Sequence, residues 1–486
     1  MNWKAISRNI GAALLVSAFF MLLSVLVSLQ NGHDSALAPL AISFLITFLS
    51  GSFPFIFVRR GSAISLKDGF MIVFLSWMLS FIFGMLPYAL WGGPFSLENA
   101  WFESVSGFTT TGASILEDIE ALPRSLLFWR SSTHFIGGLG VVVFLLLVIP
   151  NSSPIRLRLT NMELSSLSRG GYATRANKTV LVFAAVYLAI FVAALFSYWA
   201  AGMTFFDAIC HAFSVAATGG FSTKNLSIGA YDSRLIEVLT MVFMYLSTLH
   251  FGLLYLTVVT RSLKPLNNPV IKFYTASLVV VTVLVSLSLK SAGAASSWGD
   301  AFRFGSFQTL CAASTTGFAI VDNAGWPMFA NFLLLAMAVM CGCAGSTSGG
   351  VKSDRILVFI KSVGRQVGQI LHPSSVNEVK LGKRVLRDDD IYPHILYLGL
   401  YAVILLLSVF IAKALGVNDH SSFAASITSL GNVGPAIREL GLYGNFNCVP
   451  PAAKVLFTID MFLGRVEIFP ILAVVGMLFD RSGRRR

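Results

Sequence analysis

The chain has 486 residues, 55% of them hydrophobic and only 12% charged, with a net charge of +12. Soluble domains run near 25% charged, so the composition excludes an ordinary soluble domain and points to a polytopic membrane protein. The positive charge lies between apolar runs and not along one basic face, which argues against nucleic acid as a partner.

Lys4 and Arg8 precede an apolar run at 9–29. A signal peptide has an apolar region of about 7–15 residues, so this longer run reads as a retained first span. Further runs long enough to cross a bilayer, about 20 residues, follow at 38–58, 69–91, 128–149, 178–201, 234–259, 271–290, 328–342, 392–415 and 455–479. The expectation is about ten spans. The run at 328–342 is short and passes into "CGCAGSTSGG", so its helix is expected to be interrupted. Shorter amphiphilic pieces near 97–108, 205–217, 301–313 and 421–431 cannot reach across.

Lys and Arg concentrate in alternate loops and in the tail "RSGRRR", whereas Glu98, Glu117, Asp118, Glu120, Asp207, Asp300, Asp322 and Asp419 gather on the other side. An even number of spans and the positive-inside rule then put both termini in the cytoplasm. Each short piece lies between two spans on the outer side and ends in a glycine motif: "TTTGAS", "ATGGFS", "STTGFA" and "GNVGPA". The chain therefore divides into an N-terminal helix pair (1–68) and four units of span, short helix, glycine loop and span, at 69–150, 151–262, 263–365 and 366–486. The fold class expected is all-α, with the four units around a pseudo-fourfold axis.

Aligned on their glycines, the motifs give four columns. The first holds Thr110, Thr218, Thr315 and Asn432, and the second holds Thr111, Gly219, Thr316 and Val433. The third is glycine throughout: Gly112, Gly220, Gly317 and Gly434. The fourth is Ala113, Phe221, Phe318 and Pro435. Irregular backbone at membrane depth survives where it is buried in protein or lines a water-filled cavity. Glycine at φ > 0 turns a carbonyl toward the axis, and four such loops would offer rings of oxygens in place of an ion's water. The columns contain no carboxylate, so a monovalent cation suits them better than Ca²⁺ or Mg²⁺. The bland alternative is small residues at helix contacts.

The run 341–350, with Gly345, Ser346, Thr347, Ser348, Gly349 and Gly350 at its centre, cannot continue a helix well, since each glycine costs about 1 kcal/mol. It is either a mobile loop below the motif ring or a tight packing bend. Asp460, Arg465 and Glu467 lie in an apolar last span, where a charge costs at least ~2.5 kcal/mol and faces a cavity or a partner. Lone His134 and His250 near span ends are read as packing groups without a role. The scattered cysteines are read as buried small residues. No paired carboxylates, metal-ligand set or nucleophile–base constellation points to an enzyme, and no cofactor is expected. No nucleotide-binding motif appears either, so any nucleotide control has to come from another chain.

With these motifs, the "GCAGSTSGGVK" stretch and the late "LGRVEIF", the whole chain resembles the Trk/Ktr/HKT superfamily of potassium transporters, most closely its TrkH-type bacterial subunits. That resemblance implies a K⁺-selective pore in one chain of the bacterial cytoplasmic (inner) membrane, with filter backbone at the first three columns. It also implies that the 341–350 loop is the gate, with Arg465 facing the pore beside it. A cytoplasmic ring of TrkA-type nucleotide-binding subunits and a homodimer are the partners implied. The fourth motif, "GNVGPA", is nearer the Ktr and HKT pattern, which leaves H⁺ or Na⁺ coupling open. A coupled carrier with alternating access is the competing reading; it calls for inverted repeats, whereas these four run the same way.

Overall fold

A computed structural model describes residues 1–59, 65–140, 176–374, 378–382, 384–435, 440–441 and 443–479. The second half of the expected 128–149 span, the basic loop after it and the "RSGRRR" tail lie outside these residues. Two leading helices, α1 (Trp3–Gln30) and α2 (Leu37–Phe57), pack closely because Gly11 and Gly51 face each other's carbonyls across the crossing. Helix α1 then rests on the first unit.

The four units follow in order. The first is α3 (Leu66–Gly84) with α4 (Leu86–Trp91), then α5 (Leu97–Phe108) and α6 (Arg124–Leu139). The second is α7 (Ala176–Ala200), α8 (Phe205–Ala217), α9 (Arg234–Thr248) and α10 (Phe251–Thr260). The third is α11 (Pro269–Ser291), α12 (Trp298–Ser314), α13 (Met328–Met340) and α14 (Ser353–Leu371). The fourth is α15 (Asp388–Ala414), α16 (Asp419–Leu430), α17 (Pro451–Val466) and α18 (Ile468–Phe479). A small hairpin, Val379–Leu381 with Arg384–Leu386, joins the third unit to the fourth.

Of the short helices α5, α8, α12 and α16, two start on side-chain caps. Thr204 Oγ1 accepts from the Asp207 N–H at 3.1 Å, and Ser297 Oγ from the Asp300 N–H at 3.0 Å. Three second spans start directly after a proline, at Pro123, Pro327 and Pro450, whose fixed φ suits the entry to a helix.

Packing between units is cyclic. The second span of each unit lies on the short helix of the next: α6 on α8, α9 on α12, α13 on α16, and α17 back on α5. That closure is the pseudo-fourfold arrangement, and it sets the four short helices around one axis with their C-termini inward.

The second spans differ from expectation. Among the described residues six helices are long and apolar enough to cross alone, or seven if α9 and α10 count as one span. Those two were expected as one run at 234–259 and instead meet at 102°. The run at 455–479 is likewise broken, at Glu467, whose φ is +67°. The break after Met340 was expected, and α6 also stops, at Gly140 with φ +75°. So all four second spans stop or turn at a comparable level; glycine-rich sequence marks the third and, through Gly137-Gly138-Leu139-Gly140, the first, but not the other two.

Candidate functional site

Every short helix ends in the same way. The N–H of the first-column residue bonds the carbonyl three back: Thr110 to Gly107, Thr218 to Val215, Thr315 to Ala312 and Asn432 to Ser429, at 3.1–3.2 Å. The N–H of the second-column residue bonds the carbonyl five back: Thr111 to Ser106, Gly219 to Ser214, Thr316 to Cys311 and Val433 to Thr428, at 2.8–3.2 Å. This is a Schellman closure, which wants a left-handed residue, usually glycine, just past the helix. Here threonine and asparagine occupy that place at φ +54°, +55°, +59° and +55°. Each threonine costs roughly 1–2 kcal/mol in such a conformation, which asparagine tolerates more readily, and the threonines give no sign of it in the sequence.

The third-column glycines are also left-handed, at φ +80°, +85°, +77° and +87°. Two left-handed residues flank each second-column residue, so the extended turn exposes its carbonyls instead of hiding them in a helix. The glycines also close a ring. A Cβ on Gly112 would collide with the Gly219 carbonyl oxygen, one on Gly220 with that of Thr316, one on Gly317 with that of Val433, and one on Gly434 with that of Thr111. Each glycine is therefore covered by the second-column carbonyl of the next loop, and the fourth loop returns to the first. All twelve predicted residues of the first three columns come together here.

Each loop is held from behind as well. Ser106 Oγ donates to the Ala113 carbonyl and Ser214 Oγ to the Phe221 carbonyl, both at 2.6 Å. In the third unit Cys311 Sγ takes that place, 2.9 Å from the Phe318 oxygen. The imidazole of His134 stacks on Phe221 at 4.0 Å and occupies the space a Gly219 side chain would need. Sequence reading took this histidine as a packing group, and the structure places it in the packing behind the second loop. In the fourth loop Asn432 Nδ2 donates to Thr111 Oγ1 at 3.0 Å and to the Met461 carbonyl at 2.8 Å, joining the last loop to the first and to α17.

A cavity of about 160 Å³ opens among the outer loops and reaches Gly112, Gly220, Gly317 and Pro435. Another, of about 100 Å³, lies among the inner breaks and is lined by Ser346–Gly350, Gly138, Gly140 and Arg465. Between ring and inner cavity runs the 341–350 segment. The Gly349 N–H donates to Thr315 Oγ1 at 3.1 Å. Thr347 Oγ1 shares its one proton between the Ala216 and Ser247 carbonyls, at 3.2 and 3.1 Å. The Cys343 N–H bonds the Thr248 carbonyl at 2.9 Å, and the Gly345 carbonyl accepts from the Phe251 N–H at 3.0 Å. The loop is thus anchored in the break between α9 and α10, directly beneath the ring.

Arg465 links the loop to the C-terminal end of α6. Its Nη1 donates to the Thr347 carbonyl at 2.6 Å, and its Nη2 to the Gly137 and Gly138 carbonyls at 2.7 and 3.0 Å. Glu467, only two residues on, does not pair with Arg465 but with Arg355 at 2.8 Å. The α17 break turns it away, and Arg355 also lies 3.9 Å from the Tyr397 ring centre. Asp460 hydrogen-bonds Ser408 on α15, away from the loop.

A family model described as TrkH, cation transport protein, matches residues 39–480. The Trk system potassium uptake protein TrkH of Salmonella typhimurium is 32% identical, covering 99% of this chain and 100% of that protein. The Trk system potassium uptake protein TrkG of Escherichia coli is 30% identical, with 91% of each covered. The crystal structure of the potassium transporter TrkH from Vibrio parahaemolyticus matches with a TM-score of 0.88 and 31% identity over 99% of both chains. The motifs, the cyclic packing and these similarities agree, and the chain belongs to the TrkH family of cation transport proteins.

Proposed function

We propose that this chain is the ion-conducting subunit of a potassium uptake system and that K⁺ passes along the axis of the four motif loops. The first three columns act as the filter through their backbone oxygens, and the 341–350 loop with Arg465 is the gate. The observation that carries this reading is the closed ring, in which every glycine is covered by the next loop's carbonyl. Backbone oxygens so arranged replace the hydration shell of a monovalent cation. The names of the relatives, potassium uptake proteins, support K⁺ as that cation.

The proposal extends to setting and partners. The protein lies in the bacterial inner membrane with both termini cytoplasmic, works as a homodimer, and is regulated by a TrkA-type nucleotide-binding ring. That ring docks on the segment Lys352–Arg387, where α14 turns Phe359, Ile360, Val363 and Val367 outward. The unit boundaries at 68, 150, 262 and 365 are approximate, since α3 begins at Leu66 and α14 runs on to Leu371.

The test is uptake of labelled rubidium into liposomes holding the purified chain, with excess K⁺, Na⁺ or Li⁺ as competitor. Block by K⁺ and not by Na⁺ is the expected result. Flux that saturates at slow turnover with a fixed H⁺ or Na⁺ stoichiometry would instead establish a coupled carrier. Absence of flux both with and without the cytoplasmic ring would overturn the assignment.

A further inference from the structure

Behind the first loop lies a buried ion pair that the conduction pathway does not use. Glu103 on α5 and Arg130 on α6 are 0% and 2% exposed, with Arg130 Nε 2.6 Å from Glu103 Oε1. Burying both charges is costly unless each is fully hydrogen-bonded, so what else they touch shows what the pair is for. The Glu103 carboxylate accepts from Ser114 Oγ at 3.0 and 3.1 Å and from the Ile115 N–H at 3.2 Å. Those residues directly follow the first loop's Gly112-Ala113. Arg130 Nη1 donates to the Ser222 carbonyl at 3.1 Å, and its guanidinium carbon sits 3.5 Å from the centre of the Phe221 ring. Those residues directly follow Gly220 of the second loop.

The other units have nothing equivalent at this position. Nine residues before its glycine, the second unit has His211, which bonds Ser222 Oγ at 2.9 Å within its own loop. The third has Gln308, whose Nε2 has no partner among the described residues, and the fourth has Ala425. Among the described residues, a charged link between two neighbouring loops at this level occurs only between the first and the second.

We propose that Glu103 and Arg130 form a specificity-determining strut. They are positioning residues that hold the first and second loops at a fixed separation, so ion preference depends on them although neither touches the ion. This rests on the reading of the loops as a filter. The pair also has an electrostatic part. Arg130 contributes to the wall of the outer cavity, and a guanidinium beside a cation's path repels it unless a carboxylate neutralises it. Glu103 supplies that neutralisation. The two contributions separate by substitution, because loop spacing affects the K⁺/Na⁺ ratio whereas uncompensated charge affects total flux.

The experiment is uptake of labelled rubidium by cells stripped of their own potassium uptake, with K⁺ and Na⁺ as competitors. The competition ratio is independent of expression level. Four variants are compared: Arg130→Lys, Glu103→Gln, Glu103→Gln with Arg130→Met, and Gly112→Ser as the reference for a direct change in the ring. Arg130→Lys keeps the charge but loses the planar fork and the stacking on Phe221, so the K⁺ over Na⁺ preference is expected to fall roughly tenfold, equivalent to ~1.4 kcal/mol. Glu103→Gln is expected to have the lowest uptake, and adding Arg130→Met to recover uptake relative to Glu103→Gln alone while the preference stays low. If these variants fail to reach the membrane, Phe221→Leu tests the strut from its other end without stranding a charge, and the same fall is expected. A wild-type ratio in every variant that reaches the membrane, with Gly112→Ser shifted, overturns the strut and leaves the filter standing. An unchanged ratio in Gly112→Ser as well overturns both.

Discussion

The ring and the inner breaks are both built four times, yet they differ in how closely the copies agree. In the ring, left-handed angles at the first column span only +54° to +59°, and those at the glycines only +77° to +87°. The copies share their closing hydrogen bonds residue by residue. At the inner level the four breaks share a position and little else. One stops at Gly140, one turns through 102° beside His250, one opens into the 341–352 loop, and one turns on Glu467. The difference follows from what each level is proposed to do. An ion that gives up its water needs oxygens on all sides at one distance, so four loops must agree. Blocking an axis needs one segment to cross it, so three breaks make room and the fourth fills the space.

The ring is the more sensitive of the two to substitution. Gly112→Ser places a Cβ against the Gly219 carbonyl and holds a β-carbon at φ +80°. The carbonyl has to move, and the preference for K⁺ over Na⁺ in rubidium competition is expected to fall by an order of magnitude or more. An unchanged ratio would remove Gly112 from the filter. Gly434→Ala, aimed at the Thr111 carbonyl across the same ring, should do comparable damage, since the fourfold reading makes the glycines equivalent. A harmless Gly434→Ala would break the comparison at its base.

The proposed gate comes next in expected effect. Arg465→Gln removes charge-assisted bonds to Thr347, Gly137 and Gly138, each worth about 1.5–3 kcal/mol. Only the part lost when the loop moves biases the gate, so resting flux without a cytoplasmic partner should rise roughly tenfold. Arg465→Lys sharpens the reading. It keeps the positive charge but cannot fork between two elements. Raised flux in both variants identifies a latch, and raised flux in glutamine alone identifies an electrostatic barrier. Flux unchanged in both would return the 341–350 segment to a packing bend.

These two levels were not equally legible in the sequence. The four glycines could be read because no other residue tolerates both φ > 0 and a carbonyl at contact, so the requirement leaves a residue type behind. The first column could not. Thr110, Thr218 and Thr315 adopt an angle that their own preferences resist, and tertiary closure overrides propensity without changing the letters; only Asn432 is of a type that takes this angle readily. The breaks at Leu249–His250 and Glu467 were equally silent, because apolar residues flank them and no glycine run marks them. Partners far apart in the chain were silent as well. Glu467 is two residues from Arg465 yet pairs with Arg355, and Glu103 meets Arg130 across a loop whose course only the fold determines.

The smallest effect is expected at Cys311, and it tests how strictly the ring repeats. Ser106 and Ser214 reach their loop carbonyls at 2.6 Å, whereas Cys311 Sγ lies 2.9 Å from the Phe318 oxygen. A thiol is a weaker donor than a hydroxyl, so the third loop has the softest of the three supports. Cys311→Ser supplies the hydroxyl its two counterparts use, and stability in detergent should stay level or rise by up to about 1 kcal/mol, with the competition ratio unchanged. Cys311→Ala leaves the Phe318 carbonyl without its donor and should cost about 1–2 kcal/mol. Thermal unfolding of the purified variants reads both. If serine destabilises as much as alanine, the site selects for the bulk of sulfur over its hydrogen bond, and the three supports are alike in position but not in chemistry.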